Sequence, residues 1–419
     1  MLDIRFIREN KNKVKQACKN KQVEVDIEKL LKIDKKKRKI QTELEQISAK
    51  KNKASKEIGK AKDKKEKQKI IARMQKTDKS SDKLKESLKK LNKEFEELMR
   101  QVPNIPLDDV PVGKDETGNV VIRKVGKVPR FSFKPKDYME ISENLDLIDV
   151  KRAAKVSGAR FSYIKRELVL LHFALVRFAF DILLKEGFVP VLPPKMISAK
   201  MAWGMGYLEQ SEDNEAYFLP KDDLYLIGTS EQSMGVMHSG EVLQEKDLPK
   251  RYFAFTACFR REAGSYGKDT GGIFRAHEFD KVEMFSLSKP ENSKKEHEYF
   301  LSLEEKLMKS LKLPYQVVNI CTGDLGVPAA KKYDIETWFP GQNKYRETHS
   351  TSNCTDFQTR RLNVRYREKS GKINFIHFVN GTALSMRPMI AIIENYQQKD
   401  GSIKIPQVLQ KYTGFEEIK

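Results

Sequence analysis

YFAFTACFRREAGSYGKDTGGIFRAHEFDKVEMF (252–285) decides the fold class. Two runs rich in aromatic and β-branched residues, 252–259 and 279–287, flank a middle carrying Gly264, Gly267, Gly271 and Gly272. That composition predicts a strand, a glycine-rich loop and a returning strand, which is an antiparallel pair. Period two puts Arg260 and Glu262 on one face as the first strand ends, and Arg275, Phe279 and Glu283 on one face of the second. Two guanidinium groups, two carboxylates and an aromatic ring on one face can clamp a phosphate, stack a base and read amino groups. The competing reading is surface decoration of a hairpin, and the rest of the chain has to decide.

Outward from the hairpin, YQVVNIC (315–321) and INFIHFVNG (373–381) also read as strands. Neighbouring strands are joined by loops too short for crossover helices, so an antiparallel sheet flanked by helices is favoured over a doubly wound one. Neither GxGxxG nor GxxxxGK[ST] occurs, so side chains must hold any nucleotide. LVLLHFALVRFAFDILL (168–184) carries His172, Arg177 and Asp181, too polar to span a bilayer, and predicts a buried helix. The N-terminus MLDIRFIREN has no apolar signal core, and Cys18, Cys258, Cys321 and Cys354 are scattered without a CxxC pair. A cytoplasmic protein with neither disulfide framework nor zinc is expected.

Charge is unevenly placed along the 419 residues: the first hundred hold 33 Lys+Arg against 17 Asp+Glu, so they supply +16 of the total +21. Within them Leu30, Ile33, Ile40, Leu44, Ile47, Ala54 and Ile58 step by three and four, with Lys37 and Lys51 in the gaps. Ile70, Met74, Leu84, Leu88, Leu91, Phe95 and Leu98 repeat the step, with Thr77 and Ser81 as weak positions. Two narrow seams joined at Gly59, within 57–67, predict an antiparallel coiled-coil hairpin over about 28–100, roughly 50 Å long. KIDKKKRK (32–39) and KDKKEKQK (62–69) make it a polyanion-binding arm, suited to the backbone of a structured RNA since aromatic interleaving is lacking. Prolines 103, 106 and 111 with Gly113 mark a linker. The expected domains are 1–110 and 111–419.

Taken together, FRRE, the glycine loop and FRAHEF resemble motif 2 of class II aminoacyl-tRNA synthetases, and the surrounding words resemble the seryl-tRNA synthetases among them. GFVPVLPP (187–194) resembles motif 1, GTSE (228–231) the serine loop, YRETHSTSNCTDFQTRR (345–361) the ATP and metal segment, and NGTALSMRPMIAIIENYQ (380–397) motif 3. The resemblance implies an α+β class II catalytic domain that joins serine to ATP and passes the seryl group to the 3′ end of tRNA(Ser), and of tRNA(Sec). Arg260 would grip the α-phosphate and the serine carboxylate, with Arg275 and Arg387 on the outer phosphates. Glu262 would read the adenine amino group, Phe279 would stack beneath the ring with Arg387 above, and Ala276 would touch ATP through its backbone. Arg261, Thr348 and His349 fall in the same ATP-contacting segments. Glu347 and Ser350 would ligate Mg²⁺. Thr229, Ser230 and Glu231 would hold the serine ammonium, while Glu283 and Thr382 would surround the hydroxyl. His277 and His238 are read as structural, because adenylation needs no imidazole base, and the same argument leaves His349 no role as a base.

The resemblance also implies a homodimer across motif 1, and recognition of the long variable arm of tRNA, consistent with no anticodon-reading domain after residue 415. This chain departs from the common pattern at Gly228, Ser230, Gly271 and Glu278, and its interval from Thr382 to Arg387 is one residue short. Two rivals have different signatures. A serine-adenylating enzyme serving a small carrier would not need a long cationic arm. A silent RNA-binding paralogue would not need Arg260, Glu262, Glu283, Glu347 and Arg387 intact.

Overall fold

A computed structural model describes residues 1–60, 64–207, 216–262 and 272–419. The expectations placed on Gly264, Gly267 and Gly271, and on 61–63 of the arm's turn, lie outside the described residues.

The hairpin sits inside an eight-stranded sheet made of β1 (Val120–Val125), β2 (Val189–Val191), β3 (Lys250–Phe259), β4 (Glu278–Ser288), β5 (Tyr315–Asn319), β6 (Lys331–Phe339), β7 (Lys344–Thr355) and β8 (His377–Ser385). Their spatial order is β1-β5-β6-β7-β8-β4-β3-β2, antiparallel except for the parallel β2–β3 pair. This is the helix-flanked antiparallel sheet the hairpin predicts. One expected strand divides: Ile373–Phe375 joins a small sheet, and only His377 onward enters the large one. The register sets Glu283 opposite both Ala254 and Thr382, Gly381 opposite Thr351, and Ser350 opposite Asp334. Side chains on one face of the central strands therefore converge from β4, β6, β7 and β8.

Helices Glu167–Lys185, Ser293–Ser310 and Met386–Asn395 bring Leu171, Leu175, Phe300, Leu307 and Ile392 into one core with Phe253, Val282 and Met284 of the sheet. Such burial contributes about 1.5–3 kcal/mol per large apolar side chain. The first of these helices corrects one expectation. Leu168, Leu171, Leu175 and Leu183 are buried, but Leu170 and Phe173 remain 52% and 56% exposed on its other side, so the helix is buried on one face only. No helix among the described residues is long and apolar enough to cross a membrane. All four cysteines are free and buried.

Contacts divide the chain between Pro103 and Asn104, with Met1 and Asn20–Gln22 counted in the body. The proline-rich segment is accordingly no free linker. Asn104 donates to the carbonyls of Pro328 and Cys354 at 2.8 Å each, and Asp109 pairs with Lys331 at 2.6 Å.

In the other unit, helices Ile27–Lys60 and Lys64–Gln101 run antiparallel, joined by Lys29–Glu94 at 2.7 Å and by Lys51–Asp78. The seam lysines keep the pattern by different means. Lys51 carries that cross-helix ion pair, while Lys37 lays its ammonium 3.6 Å from the centre of the Phe95 ring. Partial burial pulls the Lys37 pKa down, a cost the ring face offsets. Outside the seam, Lys32, Lys35, Lys36, Arg38 and Lys39 are exposed.

Candidate active site

Where β3 ends and β4 begins, the chain holds its arginines rigidly. Arg260 and His277 close the stem: the Arg260 amide donates to the His277 carbonyl, and His277 Nδ1 lies 3.0 Å from the Arg260 carbonyl. The Arg260 guanidinium then reaches across to the Gly228 carbonyl at 3.1 Å, and its carbon lies 5.2 Å from the centre of the Phe279 ring. Glu262 has φ +50°, a left-handed conformation that non-glycine residues rarely adopt. Arg160 holds its carbonyl at 2.8 Å, and Arg275 pairs with its carboxylate at 3.2 Å. Strain of this kind, held by two arginines, concentrates at functional sites.

These groups open on a cleft of about 570 Å³. Its lining includes Arg260, Glu262, Arg275, Ala276 and Phe279 from the hairpin. Thr229, Glu231, Glu283, Thr382, Glu347, Thr348, Ser350 and Arg387 also line it. The sequence reading thus names residues from five separate segments that the fold brings together.

Three residues assigned by resemblance lie elsewhere. Ser230 is buried in the first turn of helix Ser230–Val236, capped by Thr229. Arg261 is exposed, 5.7 Å from the Tyr217 ring centre. His349 is buried and is not part of the cleft lining, unlike its neighbours Thr348 and Ser350. Burial lowers its pKa to about 4, leaving it neutral. Arg387 lies 4.9 Å from the ring centre of Phe274 and bonds Glu347 through both carboxylate and carbonyl at 3.1 Å.

The two ends of the cleft differ electrostatically. At the Arg387 end, burial opposes the charge on Glu347, but Arg387 and Lys332 outweigh it and hold the carboxyl at about 2. Asp334 pairs with Lys332 at 3.2 Å, and its other oxygen is buried without a hydrogen-bond partner of full geometry among the described residues. Glu347, Ser350 and Asp334 form an all-oxygen set that fits a hard divalent cation. Arginines 260, 275 and 387 with Lys332 make this end suited to a polyphosphate.

At the other end, Glu283 accepts from Lys281 at 2.5 Å and from Thr382 Oγ1 at 3.4 Å. Glu231 accepts from the Tyr207 hydroxyl, and burial together with the nearby Glu283 pushes it up to about 7. Two carboxylates face one lysine, so an arriving ammonium group completes the charge balance. Sequence reasoning missed Lys281, Tyr207, Lys332 and Phe274. Lys281 carried a usable signal, because 279, 281 and 283 share a strand face, and Phe274 stands in the FRAHEF word, whereas nothing local marked Tyr207 and Lys332.

Residues 217–396 match the tRNA synthetase class II core domain (G, H, P, S and T), and residues 1–106 match the seryl-tRNA synthetase N-terminal domain. The serine–tRNA ligase of Dictyoglomus thermophilum is 43% identical, covering 100% of this chain and 99% of that protein. The crystal structure of seryl-tRNA synthetase from Pyrococcus horikoshii complexed with ATP superposes with a TM-score of 0.94 at 42% identity, covering 100% and 99%. That of the cytoplasmic serine–tRNA ligase from Naegleria fowleri in complex with AMP gives 0.88 at 31%, with the same coverage.

Proposed function

The chain belongs to the seryl-tRNA synthetase family of class II, and from that premise we infer that it activates L-serine with ATP and charges tRNA with it. The observation that carries this reading is the two-ended cleft: Arg275, Arg387 and Lys332 at one end, Glu231, Lys281, Glu283 and Thr382 at the other. In the first step a serine carboxylate oxygen attacks the α-phosphorus of ATP, and diphosphate leaves in line. Arg260 lies between the two ends and neutralises charge on both the carboxylate and the α-phosphate. Arg275 and Arg387 hold the outer phosphates, Phe279 stacks under adenine and Glu262 accepts from its amino group. No protein nucleophile or base is required, which accords with His277 being bonded to backbone and His349 being neutral.

Mg²⁺ on Glu347 and Ser350 would spread the negative charge of the phosphates. Chelation by EDTA should lower diphosphate exchange by at least about a hundredfold, with recovery on adding Mg²⁺. Exchange unaffected by EDTA would remove the ion from the scheme.

Serine is selected because Glu283 and Thr382 need its hydroxyl, so alanine leaves them unsatisfied. The Lys281 bond holds the Glu283 carboxylate in place to meet the substrate. In the second step the terminal adenosine hydroxyl of tRNA(Ser) attacks the seryl carbonyl, and AMP leaves. The cationic coiled-coil arm holds that tRNA by its backbone, and tRNA(Sec), of shared shape, is a second acceptor. Amino-acid-dependent ATP–diphosphate exchange across all twenty amino acids tests the reading. We expect a response to serine at least about a hundredfold above any other; a different preferred amino acid, or none, contradicts it.

Dimerisation belongs to the same proposal. Leu170, Phe173, Val189 and Leu192 are 52%, 56%, 52% and 86% exposed, and β2 is a sheet edge. An apolar patch beside an open strand suits a second copy of the chain. Sedimentation should give a dimer at micromolar concentration and a monomer for Phe173→Glu. A monomeric parent refutes the assignment. The reducing cytoplasm suits its four free thiols.

A further inference from the structure

Behind the serine-reading end of the cleft, the β4–β8 ladder slips. Val282 faces Leu384 while Glu283 faces Thr382, so Ala383 has no partner and forms a bulge. A bulge re-aims the side chains beside it and leaves backbone groups outside the ladder. Here those side chains are Thr382 and Glu283, joined at 3.4 Å.

What lies on the opposite face of the sheet is unusual. Glu304, from helix Ser293–Ser310, is fully buried, and its carboxyl faces the Thr382 amide. Neither carboxyl oxygen has a hydrogen-bond partner of full geometry among the described residues. Gly381 makes room for it: a Cβ there would come within 3.0 Å of Glu304 Oε1, 3.0 Å of Thr351 Oγ1 and 3.2 Å of Phe300. Next along, the His349 ring faces the Ala383 backbone, so two buried polar side chains flank one bulge from behind. A buried carboxyl in a core of Phe300, Leu301 and Leu307 is costly, and apolar packing alone gives no reason to keep it.

We propose that Glu304 is a positioning residue for the serine pocket, bracing the bulge at Ala383 so that Thr382 and Glu283 stay at hydroxyl-reading distance. This rests on the assignment of that end of the cleft to serine. Burial, with Glu283 and Asp334 across the sheet and Glu305 beside it, raises the Glu304 pKa well above the usual range. Glutamine is its nearest mimic in shape and size.

Steady-state diphosphate exchange on the full chain separates positioning from mere packing. Glu304→Leu should raise the KM for serine about tenfold, the factor for losing one hydrogen bond to the substrate hydroxyl. It should reduce discrimination against threonine similarly, while the KM for ATP stays within about threefold. Glu304→Gln should keep the parental serine KM. Should the leucine variant not fold, Gly381→Ala, which presses on the same carboxyl, must raise the serine KM without raising that for ATP. A folded Glu304→Leu or Gly381→Ala with parental serine KM overturns the proposal, as does a tenfold rise in Glu304→Gln. Those failures leave serine-dependent exchange by the parent intact; if the parent itself shows none, the functional reading falls and this one with it.

Discussion

Arg260→Ala is expected to lower serine-dependent ATP–diphosphate exchange by about a thousandfold or more, with thermal unfolding nearly unchanged. The magnitude follows from where the guanidinium sits. It lies on the wall shared by the two ends of the cleft, and negative charge accumulates there as the carboxylate meets the α-phosphorus. A fixed cation in a partly desolvated site stabilises that charge without reorganising. The structural cost is small. The arginine is only half-buried, and its contacts are one bond to the Gly228 carbonyl and the Phe279 ring face. Losing them costs about 1 kcal/mol. Circular dichroism with exchange kinetics checks both halves, and near-normal turnover in a folded variant would remove Arg260 from its assigned role.

Deleting 28–100 is expected to abolish tRNA charging, by at least about a thousandfold, while diphosphate exchange stays within a fewfold of the parent. The two halves of the reaction draw on different parts of the chain. Exchange uses only cleft residues, all in the unit that includes Asn104–Lys419. Charging needs a polyanion held in place. On the proposed reading the exposed Lys32, Lys35, Lys36, Arg38 and Lys39 would supply that contact, and their grip would weaken steeply with salt through counterion release. In the full chain, charging should therefore fall with added salt well before exchange does. Equal retention of both activities after deletion would favour the rival enzyme that hands serine to a small carrier.

How far the sequence could be read depended on how each element is stabilised. Strands β3 and β4 were legible because apolar alternation carries them. In contrast, β7 escaped reading as a strand: besides Cys354 its buried residues are the polar Thr348, His349, Thr351 and Asn353, and such a strand has no hydrophobic period to detect. The arm was legible despite Lys37 and Lys51, since interruptions in a seam keep its phase when a ring or a carboxylate receives the ammonium. The short helices Ile4–Glu9 and Lys11–Asn20 gave too few turns for a period to show.

Site residues divide similarly. Those on strand faces or in motif words were found, and the fold gathers most of them. Tyr207 and Lys332 enter the cleft from segments that carry no motif, Tyr207 through its long-range bond to Glu231 and Lys332 from strand β6, which only the sheet topology brings to the cleft. Glu304 was invisible for a deeper reason. A glutamate on an amphipathic helix reads as solvent-facing, and only the bulge beneath Thr382 and the gap at Gly381 explain its burial. Arg387 was found by its place in the motif, but its partner Glu347 was not foreseen.

The most direct test is a crystal structure with a non-hydrolysable seryl-adenylate mimic. The account predicts the adenine on Phe279, the phosphate mimic against Arg260, and the seryl hydroxyl between Glu283 and Thr382. A ligand bound away from the hairpin of β3 and β4, or one turned end for end in the cleft, would contradict it.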